Sequence, residues 1–201
     1  MFDDRFARRM AGRYRRKGLD STARRLVDVL AAPGVEGATV LEIGGGVGEI
    51  GLELLRRGAT SVTNLELSPA YDAAARALVE EAGMTGRVQR RLVDIAAAPA
   101  AVEPADIVVL HRVVCCYPDV GTLLRSAADH TRRRLAFSFP PRNLLSRSVV
   151  GTQNALLALG GRQFRTFAHP PAAMLAVLAE RGLRPAVAHH GRVWQVAAAS
   201  R

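Results

Sequence analysis

The chain has 201 residues, 49% apolar and 23% charged, which bounds it to about one domain with a sizeable core and excludes a disordered polymer. No apolar run approaches the ~18 residues of a membrane span, and the stretch from Met1 to Phe6 has early acids and no apolar h-region, so neither a span nor a secretory signal is expected. Basic residues outnumber acidic ones 28 to 18, for a net charge of +10, with nine basic groups and three acids in residues 1–25. Lys17 is the sole lysine, so the arginine skew reads as coding bias as much as chemistry. A basic arm of this kind meets nucleic acid or an acidic substrate, or is simply a solvated helix face.

In chain order, Phe2, Phe6, Met10 and Tyr14 recur every four residues and predict one helix stripe, which Gly18 interrupts. Ser21 is the expected N-cap of a second helix over 22–31, closed by Pro33 and Gly34. Strand and helix then alternate. Strands are predicted over 38–43, 61–67, 87–94, 105–114 and 134–139, with helices over 48–57, 69–82 and 119–130 between them. Ser68 and Pro69 suit the cap and first turn of the helix over 69–82. An inserted helix is expected over 144–159, a further helix over 171–181, and two last strands over 184–189 and 192–199. Alternation with apolar strands predicts an α/β fold with a doubly wound, mostly parallel sheet. Residues 1–35 read as an N-terminal helical cap and 36–201 as the α/β domain, with an insert at about 141–168. Ligands of such sheets bind at the carboxyl ends of the strands.

The first strand ends Val40-Leu41-Glu42-Ile43-Gly44-Gly45-Gly46-Val47-Gly48. Glycine is needed where a strand turns sharply into a helix and a ligand approaches backbone. A phosphate-binding P-loop would need a Gly-Lys-Ser/Thr ending, and the stretch has no lysine. A dinucleotide GxGxxG fails from Gly44, where the sixth position is Glu49, and its match at Gly46, Gly48 and Gly51 starts two residues late. The form Glu42-x-Gly44-x-Gly46-x-Gly48 resembles the first motif of class I S-adenosylmethionine-dependent methyltransferases. A carboxylate there would repel a pyrophosphate and favour a cationic amine and sulfonium.

That resemblance implies several things. The sheet would have seven strands in the order 3-2-1-4-5-7-6, the last antiparallel. Cofactor-binding residues would be Glu42, Gly44, Gly46 and Gly48, Glu66 for the ribose hydroxyls with Leu67 beside it, Asp94 and Ile95 at the adenine, and His111 near the methyl. The cofactor would be S-adenosylmethionine, the product S-adenosylhomocysteine, and the N-terminal stripe a lid over the cofactor cleft.

The fourth predicted strand runs into His111-Arg112-Val113-Val114-Cys115-Cys116-Tyr117-Pro118, the segment that lies beside the transferable methyl in this family. Methyl transfer is an in-line displacement, so the enzyme aligns the partners and, for a hydroxyl acceptor, removes a proton. His111 and Tyr117 are the candidate catalytic residues. His111 acts as base or only positions; Tyr117 orients the acceptor or walls the cofactor pocket. The adjacent cysteines exclude a disulfide framework and imply a reduced, cytoplasmic setting. They lack the Pro-Cys of cytosine methyltransferases, and no metal-ligand spacing is present.

The layout also resembles the magnesium-protoporphyrin O-methyltransferase group, through the leading helices, Tyr117-Pro118, Ser138-Phe139-Pro140 and the aromatic-bearing last strand. Arg142, Arg147, Arg162, Phe164, Arg165 and Phe167 in the insert suit an acidic, partly hydrophobic small molecule. The expected activity is methyl transfer to a small-molecule O or N acceptor. RNA methylation through the basic arm, and a non-catalytic cofactor-binding module, are the alternatives.

Overall fold

The computed structural model of the chain describes residues 3–142, 152 and 165–201. Helix α1 (Asp4–Lys17) is opened by Asp3, whose carboxylate accepts the Phe6 N–H at 2.8 Å. Its buried stripe runs through Ala7, Ala11 and Tyr14, with Met10 packed beside them. Phe6 stays 38% exposed and meets Tyr71 edge-on, so the alanines rather than the large residues make the closest approach. Phe2 lies outside the described residues. Helix α2 (Ser21–Ala31) is capped by Asp20, which accepts from the Thr22 and Ala23 amides, both at 2.9 Å. Ser21 is therefore the first helical residue, not the expected cap.

Seven strands form one sheet: β1 (Thr39–Ile43), β2 (Ser61–Glu66), β3 (Val88–Leu92), β4 (Ala105–Leu110), β5 (Thr131–Phe139), β6 (Arg184–His189) and β7 (Gln195–Ser200). Their order is β3-β2-β1-β4-β5-β7-β6, as the family resemblance implied. Pairings from β3 across to β5 are parallel, and β7 runs antiparallel to both β5 and β6. Helices α3 (Glu49–Arg56), α4 (Asp72–Glu81), α5 (Val120–Asp129) and α6 (Pro171–Glu180) flank it. Alternate strand residues feed two cores. Val40, Ile107, Val109 and Ala136 pack with α1 to α4, while Leu41, Val108, Leu110 and Phe137 pack with α5 and α6. Burial on both faces is why these strands read as unbroken apolar runs.

Several boundaries depart from the sequence pattern: β3 ends at Leu92, short of the predicted 94, and β7 starts at Gln195, not at 192. Strand β4 stops at Leu110 because Arg112 adopts φ +58°, and its N–H turns to Ser138 Oγ at 2.9 Å instead of continuing the ladder. The helix expected over 69–82 splits into a 3₁₀ turn, Pro69–Tyr71, and α4; the Ser68 side chain makes no cap bond. Strand β5 starts at Thr131, three residues before the predicted edge. The inserted helix expected over 144–159, with Arg147, Arg162 and Phe164 around it, lies outside the described residues. Strand order reverses between β1 and β4, which puts the ligand crevice at their carboxyl ends.

Candidate functional site

The turn after β1 is shaped by three left-handed glycines, Gly44 (φ +64°), Gly46 (φ +55°) and Gly48 (φ +84°), the conformation in which a side chain is strained. Gly45 is constrained differently. A Cβ there would lie 2.1 Å from Asn64 Nδ2 and 2.8 Å from Glu42 Cδ. Gly51 on α3 is just as tight, 2.8 Å from both Glu42 and Val62.

Glu42 lies beneath this turn and is only 3% exposed. Its Oε2 accepts from Asn64 Nδ2 at 2.9 Å and from the Gly51 N–H at 3.3 Å. Burial, and then the nearby Glu49, push its carboxyl up to about 8, against the pull of Asn64, Gly51 and Arg90. The network continues outward: Arg90 donates to Asn64 Oδ1 at 2.6 Å, to the Gly46 carbonyl at 2.8 Å and to Asp72 at 2.6 Å. Glu42, Asn64 and Arg90 pair directly across β1, β2 and β3, so one polar row runs under the glycine turn.

Glu66, at the end of β2, accepts the Gly46 N–H at 2.9 Å through one oxygen and the Leu67 and Ser68 amides, at 2.9 and 3.1 Å, through the other. The next side chain, Leu67, is 59% exposed, an apolar surface at the rim of the crevice. Beyond β3, Asp94 accepts the Ala96 N–H at 3.0 Å and the Tyr117 hydroxyl at 2.9 Å. Burial and this bond push the Tyr117 phenol up to about 12, so it is a donor to Asp94 at neutral pH. Ile95 is 1% exposed within the α5–α6 core, so its side chain does not face the crevice as the sequence reading expected.

His111 stands one residue past β4, its side chain 13% exposed. Nδ1 is 3.0 Å from Ser138 Oγ on β5, and Nε2 is 3.7 Å from Asp20 Oδ2 at the tip of α2. Arg112 binds the same Asp20 oxygen at 2.8 Å and stacks over Trp194 with its guanidinium carbon 5.1 Å from the ring centroid. Burial alone would raise the Asp20 carboxyl, but His111, the Ala23 amide and Arg112 together hold it below its usual range. Nearby, Cys115 and Cys116 are free thiols with sulfurs 3.5 Å apart. Phe167, from the far side of the insert, donates its N–H to the Cys115 carbonyl at 2.7 Å, and His169 Nε2 lies 3.1 Å from the Tyr117 carbonyl.

Most of the predicted residues thus follow the carboxyl ends of the strands, from Asp94 and Tyr117 past Glu66 and the glycine turn to His111, with Glu42 beneath the turn and the Ile95 side chain in the core. Asp20, Glu49, Asn64, Arg90 and Ser138 also belong to this region, and sequence reasoning passed over them. Asn64 and Arg90 face each other in the β2–β3 register, which the mixed sequences of these two strands do not single out. Among the described residues, no group of three or more His, Cys, Asp or Glu side chains could hold a metal ion.

Residues 40–134 match the model of a methyltransferase domain family. A solved magnesium protoporphyrin IX methyltransferase from Synechocystis, with bound S-adenosylhomocysteine, superposes with a TM-score of 0.72 at 22% identity, covering 98% of this chain and 97% of that one. An O-methyltransferase family protein from Burkholderia thailandensis gives 0.70 at 21% identity, over 100% of this chain and 63% of that one. An O-methyltransferase family 2 protein from Planctomyces limnophilus, in complex with apigenin, gives 0.70 at 20% identity, over 100% and 62%. No curated protein matches the chain.

Proposed function

We propose that this chain is an S-adenosylmethionine-dependent methyltransferase that moves the donor's methyl group to an oxygen or nitrogen of a small-molecule acceptor, a reading supported by the methyltransferase-domain match and the fold. The observation that carries the acceptor reading is the polar cluster past β4, where His111 stands between Ser138 of β5 and Asp20 at the start of α2. Arg112, 44% exposed and stacked on Trp194, adds a cationic and an aromatic surface beside it, which suits an acidic, partly apolar small-molecule acceptor. The similar structures named for magnesium protoporphyrin IX and holding apigenin are in keeping with a planar small molecule.

The crevice fits the donor. Bound S-adenosylmethionine supplies an electrophilic methyl on a sulfonium. On the chain's side, the left-handed glycines open the backbone to close approach. Glu66, already fixed by three amides, keeps about one of a carboxylate's roughly four lone-pair sites, on the oxygen that holds Gly46, for a ribose hydroxyl. Leu67 and the Asp94–Tyr117 pair flank the adenine end. Glu42 supports the turn from below. His111 holds the acceptor in line or takes its proton, with Asp20 and Ser138 fixing the ring.

Calorimetry with S-adenosylhomocysteine, followed by a labelled methyl-transfer screen on small-molecule and RNA fractions, tests the reading. Binding of the nucleoside and label in a small-molecule fraction are expected. Binding of NAD with no response to S-adenosylhomocysteine would end the donor assignment. Label appearing only in RNA would move the acceptor to the alternative that the exposed arginines of α1 favour.

A further inference from the structure

Glu49 is the first residue of α3, immediately after the last glycine of the turn. An acid in the first turn of a helix is ordinarily solvated and favoured by the helix dipole. This one is half-buried, and its Oε2 is shielded from solvent with no hydrogen-bond partner among the described residues. A buried carboxylate oxygen without a donor is costly, so natural structures seldom leave one. Burial raises the carboxyl above its usual range against the pull of its own backbone N–H and of the His111 and Arg112 charges, and Asp20 adds to the rise. The nearby cations are engaged elsewhere. Arg112 is paired with Asp20 and stacked on Trp194, and His111 lies between Ser138 and Asp20.

The position is informative as well. Glu49 acts electrostatically on Tyr71 together with Glu66 and Cys116, and it feels the charge of His111. It follows the glycine turn at the carboxyl end of β1, and β1 lies in the sheet between β2, which ends at Glu66, and β4, which His111 follows. Glu42, the acid that the sequence motif offers for a cationic ligand, already accepts from Asn64 and Gly51 beneath the turn.

We infer that Glu49, not Glu42, is the acid that receives the cofactor's positive charge, and that its unpartnered Oε2 takes a hydrogen bond from the α-ammonium of the methionyl moiety. The choice of ammonium over sulfonium follows from what the oxygen lacks. It needs an N–H donor; an ammonium has three and a sulfonium has none. The inference rests on the donor reading above.

The test compares two nucleosides that differ in the amino-acid tail. S-Adenosylhomocysteine carries the ammonium; 5′-methylthioadenosine has the same adenosine and thioether without it. Calorimetry on wild type and Glu49→Gln should show S-adenosylhomocysteine affinity falling about ten- to hundredfold, because the amide oxygen still accepts but the charge that strengthens its bond to the ammonium is gone. Affinity for 5′-methylthioadenosine should not change. The ligand-free variant should melt at or above the wild-type temperature, since it no longer buries an unpartnered acid. Unchanged S-adenosylhomocysteine affinity, or an equal loss for both nucleosides, would overturn the assignment of Glu49. Failure of the wild type to bind either nucleoside would instead overturn the donor reading on which it rests.

Discussion

Replacing Glu42 with glutamine should stabilise the protein at alkaline pH and leave it nearly unchanged in mild acid. In the folded chain, burial and the neighbouring Glu49 keep this carboxyl protonated up to about 8, whereas the unfolded chain ionises it near 4.5. Between those values the unfolded state binds fewer protons than the folded state. Stability therefore falls as pH rises, by about 1.4 kcal/mol per pH unit, and the loss levels off above about 8. Across the window the wild type gives up on the order of 3–5 kcal/mol, a sizeable share of the ~5–15 kcal/mol of an ordinary domain. Glutamine retains a carbonyl to accept from Asn64 and the Gly51 N–H, and it cannot ionise. Urea denaturation of both proteins at about pH 5, 7 and 9 should give a stability difference that opens steadily in favour of the variant. A difference that stays constant over that range would refute the reasoning. Glu42 would then be ionised in the native state, and the row to Asn64 and Arg90 would be an ion-pair network.

His111→Ala should lower turnover about 10²–10⁴-fold on a hydroxyl acceptor if the imidazole takes its proton, with S-adenosylhomocysteine affinity unchanged by calorimetry; a near-normal rate between about pH 6 and 9 leaves it a positioning role. Gly45→Ala drives a methyl into Asn64 and Glu42, so thermal melting should report a loss of about 1–3 kcal/mol together with weakened nucleoside binding. Asp20→Ala should lose about 0.5–2 kcal/mol of capping energy in denaturation and also reduce turnover, whereas Asp20→Ser should regain most of the stability and little of the rate, because a serine caps α2 without pairing with Arg112.

The centre of the sheet was legible because both of its faces are buried there. Continuous apolar runs such as Ile107 to Leu110 mark central parallel strands from sequence alone. Boundaries were less legible where tertiary contacts override the pattern. Arg112 ends β4 inside an apolar stretch because a serine 26 residues later takes its N–H. The glycine turn was legible in outline, yet its steric demands fall partly on other residues. Gly44, Gly46 and Gly48 supply backbone hand, while Gly45 and Gly51 supply room for Glu42 and Asn64. Nothing local distinguishes a glycine that must turn from one that must stay small. Asp20 was invisible for a related reason. It lies 92 residues from Arg112 in sequence, and by composition it is one more helix-capping acid.

The two ends of α2 show why the N-terminal helices and the crevice act as one piece. At its start, the Asp20 side chain caps the helix with one oxygen and binds Arg112 with the other. At its end, Arg134 reaches from β5 to donate to the Leu30 and Gly34 carbonyls, and the arginine is only 8% exposed. Each contact satisfies groups that a helix terminus leaves without partners, and the cation at the carboxyl end also has the sign the helix dipole favours. Arginines from two neighbouring strands thereby fix both the position and the direction of α2 over the sheet. The first of them is next in sequence to His111 and sits in a left-handed conformation that places it under Asp20. A shift of α2 along the sheet would therefore move Asp20, Arg112 and the setting of His111 together. Substitutions at Arg134 should therefore be felt at His111, although the two residues stand at opposite ends of α2.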